Sequence, residues 1–112
     1  MTRVLVAPDS YKGSMTSVVV AQALADGWRR GRPDDEVALA PMADGGEGTL
    51  DAIMATGDWA PLPAAARDPL MRPVDSRFLR RGDRAVVELA AASGLSLVAP
   101  QDRDADAATT FG

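Results

Sequence analysis

The hydrophobic pattern begins with a short continuous apolar run, Arg3 to Ala7, which predicts a buried parallel strand. Pro8 ends it, because proline has no amide to donate to a ladder. Ser14 or Thr16 is a suitable N-cap for a helix running to about Arg30. Helical spacing gives that helix a core stripe of Val20, Ala23, Leu24, Gly27 and Trp28. Arg29 and Arg30 suit the negative end of the helix dipole, and Gly31 and Pro33 stop it. Glu36 to Pro41 reads as a second strand with Val37 and Leu39 on one face. Strand, helix and strand in this order make a βαβ unit with parallel strands. A glycine-rich loop then leads into a helix from about Glu47 to Ala55, ended by Gly57.

From Trp59 the texture changes. Prolines at 61, 63, 69 and 73 break the pattern into short extended pieces. Val74 to Arg81 reads as a strand, Gly82-Asp83 as a hairpin turn and Arg84 to Leu89 as its partner. The middle third is therefore expected to be antiparallel, with a second structural region entered near Asp58. The fold class is α/β: a parallel βαβ start of a Rossmann-like domain, then a more antiparallel segment of a second α/β domain.

Composition narrows the function classes. The 112 residues are 46% hydrophobic but only 4% aromatic, so a globular chain with a thin core is expected. A net charge of −4 without a basic stripe argues against nucleic acid as a partner. No cysteine and no histidine are present, which removes disulfides, thiolate zinc sites and Ser-His-Asp or Cys-His chemistry from this segment. The apolar start is too short for a signal-peptide core, and no stretch approaches the roughly 18 apolar residues of a membrane span. The chain reads as soluble and cytoplasmic, with no membrane partner.

Two loops carry candidate chemistry. Met42-Ala43-Asp44-Gly45-Gly46-Glu47-Gly48 sets two carboxylates among three glycines, whose freedom at positive φ lets amides point at a ligand. It lacks the spacing of a P-loop or of a dinucleotide fingerprint. Its negative charge repels a bare phosphate unless a magnesium ion intervenes. A carboxylate here could instead accept a hydroxyl proton, as a base does in phosphoryl transfer. The plain alternative is a tight turn in which Glu47 or Thr49 supports the next helix. The other loop, Asp9-Ser10-Tyr11-Lys12-Gly13-Ser14, also follows a strand, where open α/β sheets place ligands. Lys12 is the only lysine, and it stands near a helix start where amides assist anion binding. Asp9 and Ser10 suit a small polar substrate or a metal, or simply an Asx or Ser turn after Pro8. Glu88 either faces the same cleft or is exposed, and exposure is favoured. Thr109-Thr110 offer hydroxyls and amides to phosphate oxygens, against the plainer reading of a frayed terminus. Trp28 and Trp59 are read as core or contact residues.

Val4-Leu5-Val6-Ala7-Pro8-Asp9-Ser10-Tyr11-Lys12-Gly13-Ser14 resembles the opening of the bacterial glycerate kinase family. Pro41 to Thr49 is similar to that family's second motif, and Glu88 to Leu95 and Thr109 to Gly112 resemble further blocks in the same order. The resemblance implies transfer of the γ-phosphoryl group of ATP to D-glycerate with Mg2+, the 2-hydroxyl being the expected acceptor. The product is then 2-phosphoglycerate, with 3-phosphoglycerate still open. Asp9, Ser10, Lys12, Asp44, Gly45, Gly46 and Glu47 fall on the family's motif positions.

Chemistry assigns roles among these residues. Lys12 pairs with the substrate carboxylate or a phosphate, Asp44 is the base or a metal ligand, and glycine amides hold charge in the transition state. Asp9, Ser10, Gly45, Gly46 and Glu47 are expected to bind substrate, and Thr109 and Thr110 phosphate. Members of the family are far longer, with two α/β domains. The chain is therefore expected to be an amino-terminal part, inactive alone. In it residues 1–57 form a Rossmann-like βαβα portion and 58–112 an incomplete second region. The missing carboxy-terminal portion or a partner chain would complete it. The competing readings are a non-catalytic remnant and a module that binds glycerate weakly.

Overall fold

The computed structural model describes every residue, Met1–Gly112. Strand β1 (Arg3–Val6) and strand β2 (Glu36–Leu39) pair in parallel, from Arg3 opposite Glu36 to Val6 opposite Leu39. Helix α1 (Ser17–Gly31) connects them. The Thr16 hydroxyl accepts the Val19 amide at 3.3 Å, which satisfies a donor with no partner inside the helix. At the far end the Arg32 amide closes onto the Trp28 carbonyl, and Pro33 prevents continuation.

The buried stripe of α1 shares only Val20 with the predicted one. Ser17, Val20, Ala21 and Ala25 are buried, whereas Leu24 is 53% and Trp28 43% exposed. Ser17, Ala21 and Ala25 recur every four residues along one face, and their small side chains suit close approach to the neighbouring elements. Size, not polarity, selects this face, so a pattern weighted by large apolar residues points too far round the helix. Trp28 turns its indole N–H to Asp35 Oδ2 at 3.1 Å, while the Thr2 amide donates to Asp35 Oδ1 at 2.8 Å.

Helix α2 (Thr49–Met54) follows the glycine loop, and a three-stranded antiparallel sheet comes next. Its strands are β3 (Ala60–Arg67), β4 (Pro73–Arg81) and β5 (Arg84–Val86), in that spatial order. The parallel start and antiparallel continuation match the expected α/β class. One detail is corrected: Pro61 and Pro63 do not fragment the chain but lie inside the eight-residue β3. They stand two apart, so both ring nitrogens face the same side, the free edge, and no bond to β4 is lost. Strand β5 stops at Val86, short of the predicted Leu89. Gly82 at φ 60° takes the first of the two turn positions between β4 and β5, the II′ arrangement.

The β3–β4 connection is built on Asp68. Met71, at φ 64°, returns its amide to the Asp68 carbonyl at 2.9 Å, with Pro69 pre-set at the second turn position. Asp68 Oδ1 accepts the Leu70 amide at 2.9 Å and the Arg72 amide at 3.0 Å, and Oδ2 accepts the Arg72 guanidinium at 2.7 Å. A short helix α3 (Ala90–Ser93) covers this sheet, and the Ser76 hydroxyl donates to the Ala91 carbonyl at 3.0 Å. Leu79, in the central strand β4, is completely buried.

Only 11 of the 112 residues are buried. The radius of gyration is 17.2 Å, against about 13 Å for a compact domain of this length. The accessible surface of 7644 Å2 exceeds that of a compact monomer of this mass by roughly 1,800 Å2. Part of the excess is the outer face of the parallel pair, where Leu5 is 67% exposed opposite Ala38. Parallel sheets are ordinarily covered on both faces.

Burial pushes the Asp68 carboxyl up, but the Arg72 amide and guanidinium and the Leu70 amide together hold it below its ordinary value of 3.8. The Thr2 amide lowers Asp35 in the same way against partial burial, helped by the Trp28 indole and Arg32. A depressed native value means that the unfolded chain binds more protons near pH 3.8. The stabilisation is therefore fully present well above that pH and is lost as pH falls through the native values. Acid unfolding followed by circular dichroism should begin below about pH 3.8, and Asp68→Asn should weaken that acid dependence.

Candidate functional site

The two loops singled out in the sequence leave the carboxyl ends of adjacent parallel strands. The ladder continues past the strands themselves: the Ala40 amide donates to Val6 O at 2.8 Å and the Met42 amide to Pro8 O at 2.9 Å. These bonds set the start of the Pro8–Thr16 loop beside the start of the Pro41–Gly48 loop. The structure thus sets the two loop starts side by side by backbone pairing, while no hydrogen bond or ion pair joins Asp9, Ser10 or Lys12 to Asp44 through Glu47.

Each loop has its own internal order. In the first, Asp9 Oδ1 accepts the Ser10 amide at 2.6 Å. Beyond it a tight turn closes between Tyr11 and Met15, with the Tyr11 amide donating to Met15 O at 3.0 Å and the reverse bond also at 3.0 Å. Lys12 and Gly13 sit at its tip, Gly13 at φ 74°. In the second, Asp44 Oδ1 accepts the Gly46 amide at 2.9 Å, and Gly45 and Gly48 adopt φ 97° and 92°. A Cβ at residue 46 would lie 3.0 Å from Asp44 Oδ1, so the turn favours glycine there by proximity as well. The Thr49 hydroxyl donates to Gly46 O at 2.7 Å and locks the loop to the first turn of α2.

Asp9, Lys12, Asp44 and Glu47 are exposed, and none of them takes part in an ion pair. Four charged groups thus remain free to meet a ligand, which is unusual where three carboxylates and an ammonium share one end of a sheet. Asp44 Oδ2 makes no hydrogen bond, leaving one carboxylate oxygen for a proton or a cation. No three acidic side chains gather into a metal cage. Magnesium does not require one, since it is often held by one or two carboxylates with waters and substrate phosphates.

Thr109 and Thr110 are placed elsewhere. The Thr109 amide donates to Pro69 O at 2.9 Å and its hydroxyl accepts the Phe111 amide at 3.2 Å, so the pair rests on the β3–β4 connection. The surface includes an open cleft of about 330 Å3 beside Thr16, Asp51 and Met54 and another of about 360 Å3 beside Arg67, Pro73 and Phe111. Neither is lined by the charged loop residues. Glu88, expected to be exposed, is 8% exposed and accepts the Leu50 amide through Oε2 at 2.9 Å. Its position straight after the apolar pair Val86-Val87 was the available signal, but alternation alone does not show that β5 ends early and turns the side chain inward.

Comparison with known proteins gives these loops a context. The model of the glycerate kinase family matches residues 4–112. The chain is 41% identical over 98% of its length to a glycerate 2-kinase from Escherichia coli and 40% identical over 96% to a glycerate kinase from Haemophilus influenzae. It superposes with a TM-score of 0.74 and 38% identity on a crystal structure from Salmonella typhimurium described as "putative glycerate kinase 2", covering 98% of this chain. The chain spans 29% of the length of the two curated relatives and 30% of that crystal structure.

The glycine loop is testable by backbone strain. Gly48→Ala should destabilise the fold by about 1–2 kcal/mol, the cost of left-handed geometry for a residue with a Cβ. Gly27→Ala, inside α1 and meeting only the flexible Arg30 guanidinium at an ordinary 3.8 Å contact, should stabilise by about 0.5–1 kcal/mol. Urea unfolding of the two variants should therefore shift in opposite directions.

Proposed function

The chain belongs to the glycerate kinase family, and from that premise we propose that its paired loops hold D-glycerate and the phosphates of ATP for phosphoryl transfer to the 2-hydroxyl. The observation that supports this reading is the Met42-to-Pro8 backbone bond of 2.9 Å, which sets the start of the loop that carries the only lysine beside the start of the glycine-rich carboxylate loop at one sheet end. Open α/β sheets bind ligands at that end.

Lys12 would pair with the substrate carboxylate or a phosphate. Asp9 and Ser10 flank it and would orient the hydroxyls, with Glu47 and the amides of Gly45 and Gly46 closing the other side. The acceptor hydroxyl oxygen forms the new bond to the γ-phosphorus while the bond to the β–γ bridging oxygen breaks and ADP departs. Asp44 would take the hydroxyl proton through its free oxygen, or hold Mg2+ against the phosphates. Bound magnesium would neutralise phosphate charge that Asp9, Asp44 and Glu47 otherwise repel. Thr109 and Thr110 could reach phosphate only if nucleotide bridges to the antiparallel sheet.

We further read residues 1–57 as part of one α/β domain and 58–112 as the beginning of another. The roughly 1,800 Å2 of excess surface supports a site completed by further protein, whether carboxy-terminal to these residues or on a partner chain. A cytoplasmic setting agrees with ATP as donor, and no helix is long and apolar enough to cross a membrane. The 112 residues alone should show no glycerate-dependent ADP release. Detectable release would overturn that expectation. Calorimetry should still register weak D-glycerate binding that Lys12→Ala abolishes, and equal binding by both proteins would refute the role of Lys12.

A further inference from the structure

We propose that Glu88 is a positioning residue that holds the Asp44–Gly48 loop in place from the segment that follows β5. Helix α2 starts from Gly48 in the left-handed region, and no side chain of the loop caps it. Its second residue, Leu50, is 2% exposed, so water cannot satisfy the Leu50 amide. Glu88 Oε2 does so at 2.9 Å across 38 residues of sequence. The cap is thus supplied by the segment after β5 and not by the helix's own entry.

A carboxylate is a costly choice for this place. Glu88 is 8% exposed and no arginine or lysine pairs with it. Burying an unpaired charge is unfavourable, and a serine or aspartate at residue 48 is the ordinary local solution. A local cap, however, would fix α2 to its own loop and to nothing else. The Glu88 bond fixes it to the sheet, and the Thr49 hydroxyl passes that constraint to Gly46 O at 2.7 Å. Gly46 in turn donates to Asp44 at 2.9 Å. A chain of three hydrogen bonds therefore runs from Glu88 to the carboxylate proposed as base or metal ligand. The consequence for activity rests on that proposed function, but the positional claim does not.

The test uses two near-isosteric variants of the full chain. Glu88→Gln keeps a carbonyl oxygen at the same reach, whereas Glu88→Asp keeps the charge but falls one methylene short. Amide hydrogen exchange by NMR should show Leu50 and the Gly45–Gly48 amides exchanging at least about tenfold faster in Glu88→Asp. The β3–β4 ladder should change by less than about twofold, and Glu88→Gln should restore the loop to near wild-type protection. D-Glycerate affinity should follow the same order.

Uniform acceleration, loss of folding in Glu88→Asp, or equal damage in both variants would show a general anchor and overturn the proposal. So would unchanged loop exchange. If the wild-type chain binds no D-glycerate, the proposed function fails, and the exchange comparison decides the role of Glu88 by itself.

Discussion

A single hydrogen bond, from the Leu50 amide to the buried Glu88 carboxylate, stands at the joint on which the relation of the two sheets depends. Its neighbour is the ion pair between Arg77 of β4 and Asp51 of α2. Where a larger domain would set such a relation by a wide apolar interface, this chain has few buried side chains to contribute. Polar links are directional and short, so they define an angle better than an apolar contact of equal strength. They are also easily lost one at a time, and the alignment of the loop ahead of α2 is correspondingly sensitive to this joint.

Much of this arrangement was legible beforehand, and the parts that were not share a cause. Strand β1, helix α1 and strand β2 follow from an apolar run, a capping threonine and a basic helix end, all of which act within a few residues. The hairpin at Gly82-Asp83 follows from turn chemistry. The errors concern burial. Leu24 and Trp28 are the residues any hydrophobic scale selects, yet Ala21 and Ala25 face inward, because the partner surface and not the residue decides which side is covered. Pro61 and Pro63 misled for the opposite reason: they forbid a central strand, and nothing local shows that β3 lies at an edge. Glu88 could not be placed without knowing where β5 ends.

The site itself divides along the same line. Adjacency of the Asp9–Lys12 and Asp44–Glu47 loops follows from the parallel βαβ reading, since both leave the same sheet end. The turn at Lys12-Gly13 and the Asp44–Gly46 bond agree with the glycine pattern. What no motif discloses is that the charges stay mutually unpaired. Lys12 forms no ion pair, and the loops are ordered by backbone bonds together with the Asp9–Ser10 and Asp44–Gly46 side-chain bonds.

The prolines of β3 have a further effect. A strand edge recruits a neighbour by offering amides, and Pro61 and Pro63 withdraw two of them along the longest free edge of the antiparallel sheet. The parallel pair has no such guard: β1 and β2 each keep an outer row of donors and acceptors, next to the bare face carrying Leu5. Growth of the structure is therefore polarised. Any added strand is steered away from the β3 edge, so the molecule carries within its backbone a limit on where it can be extended.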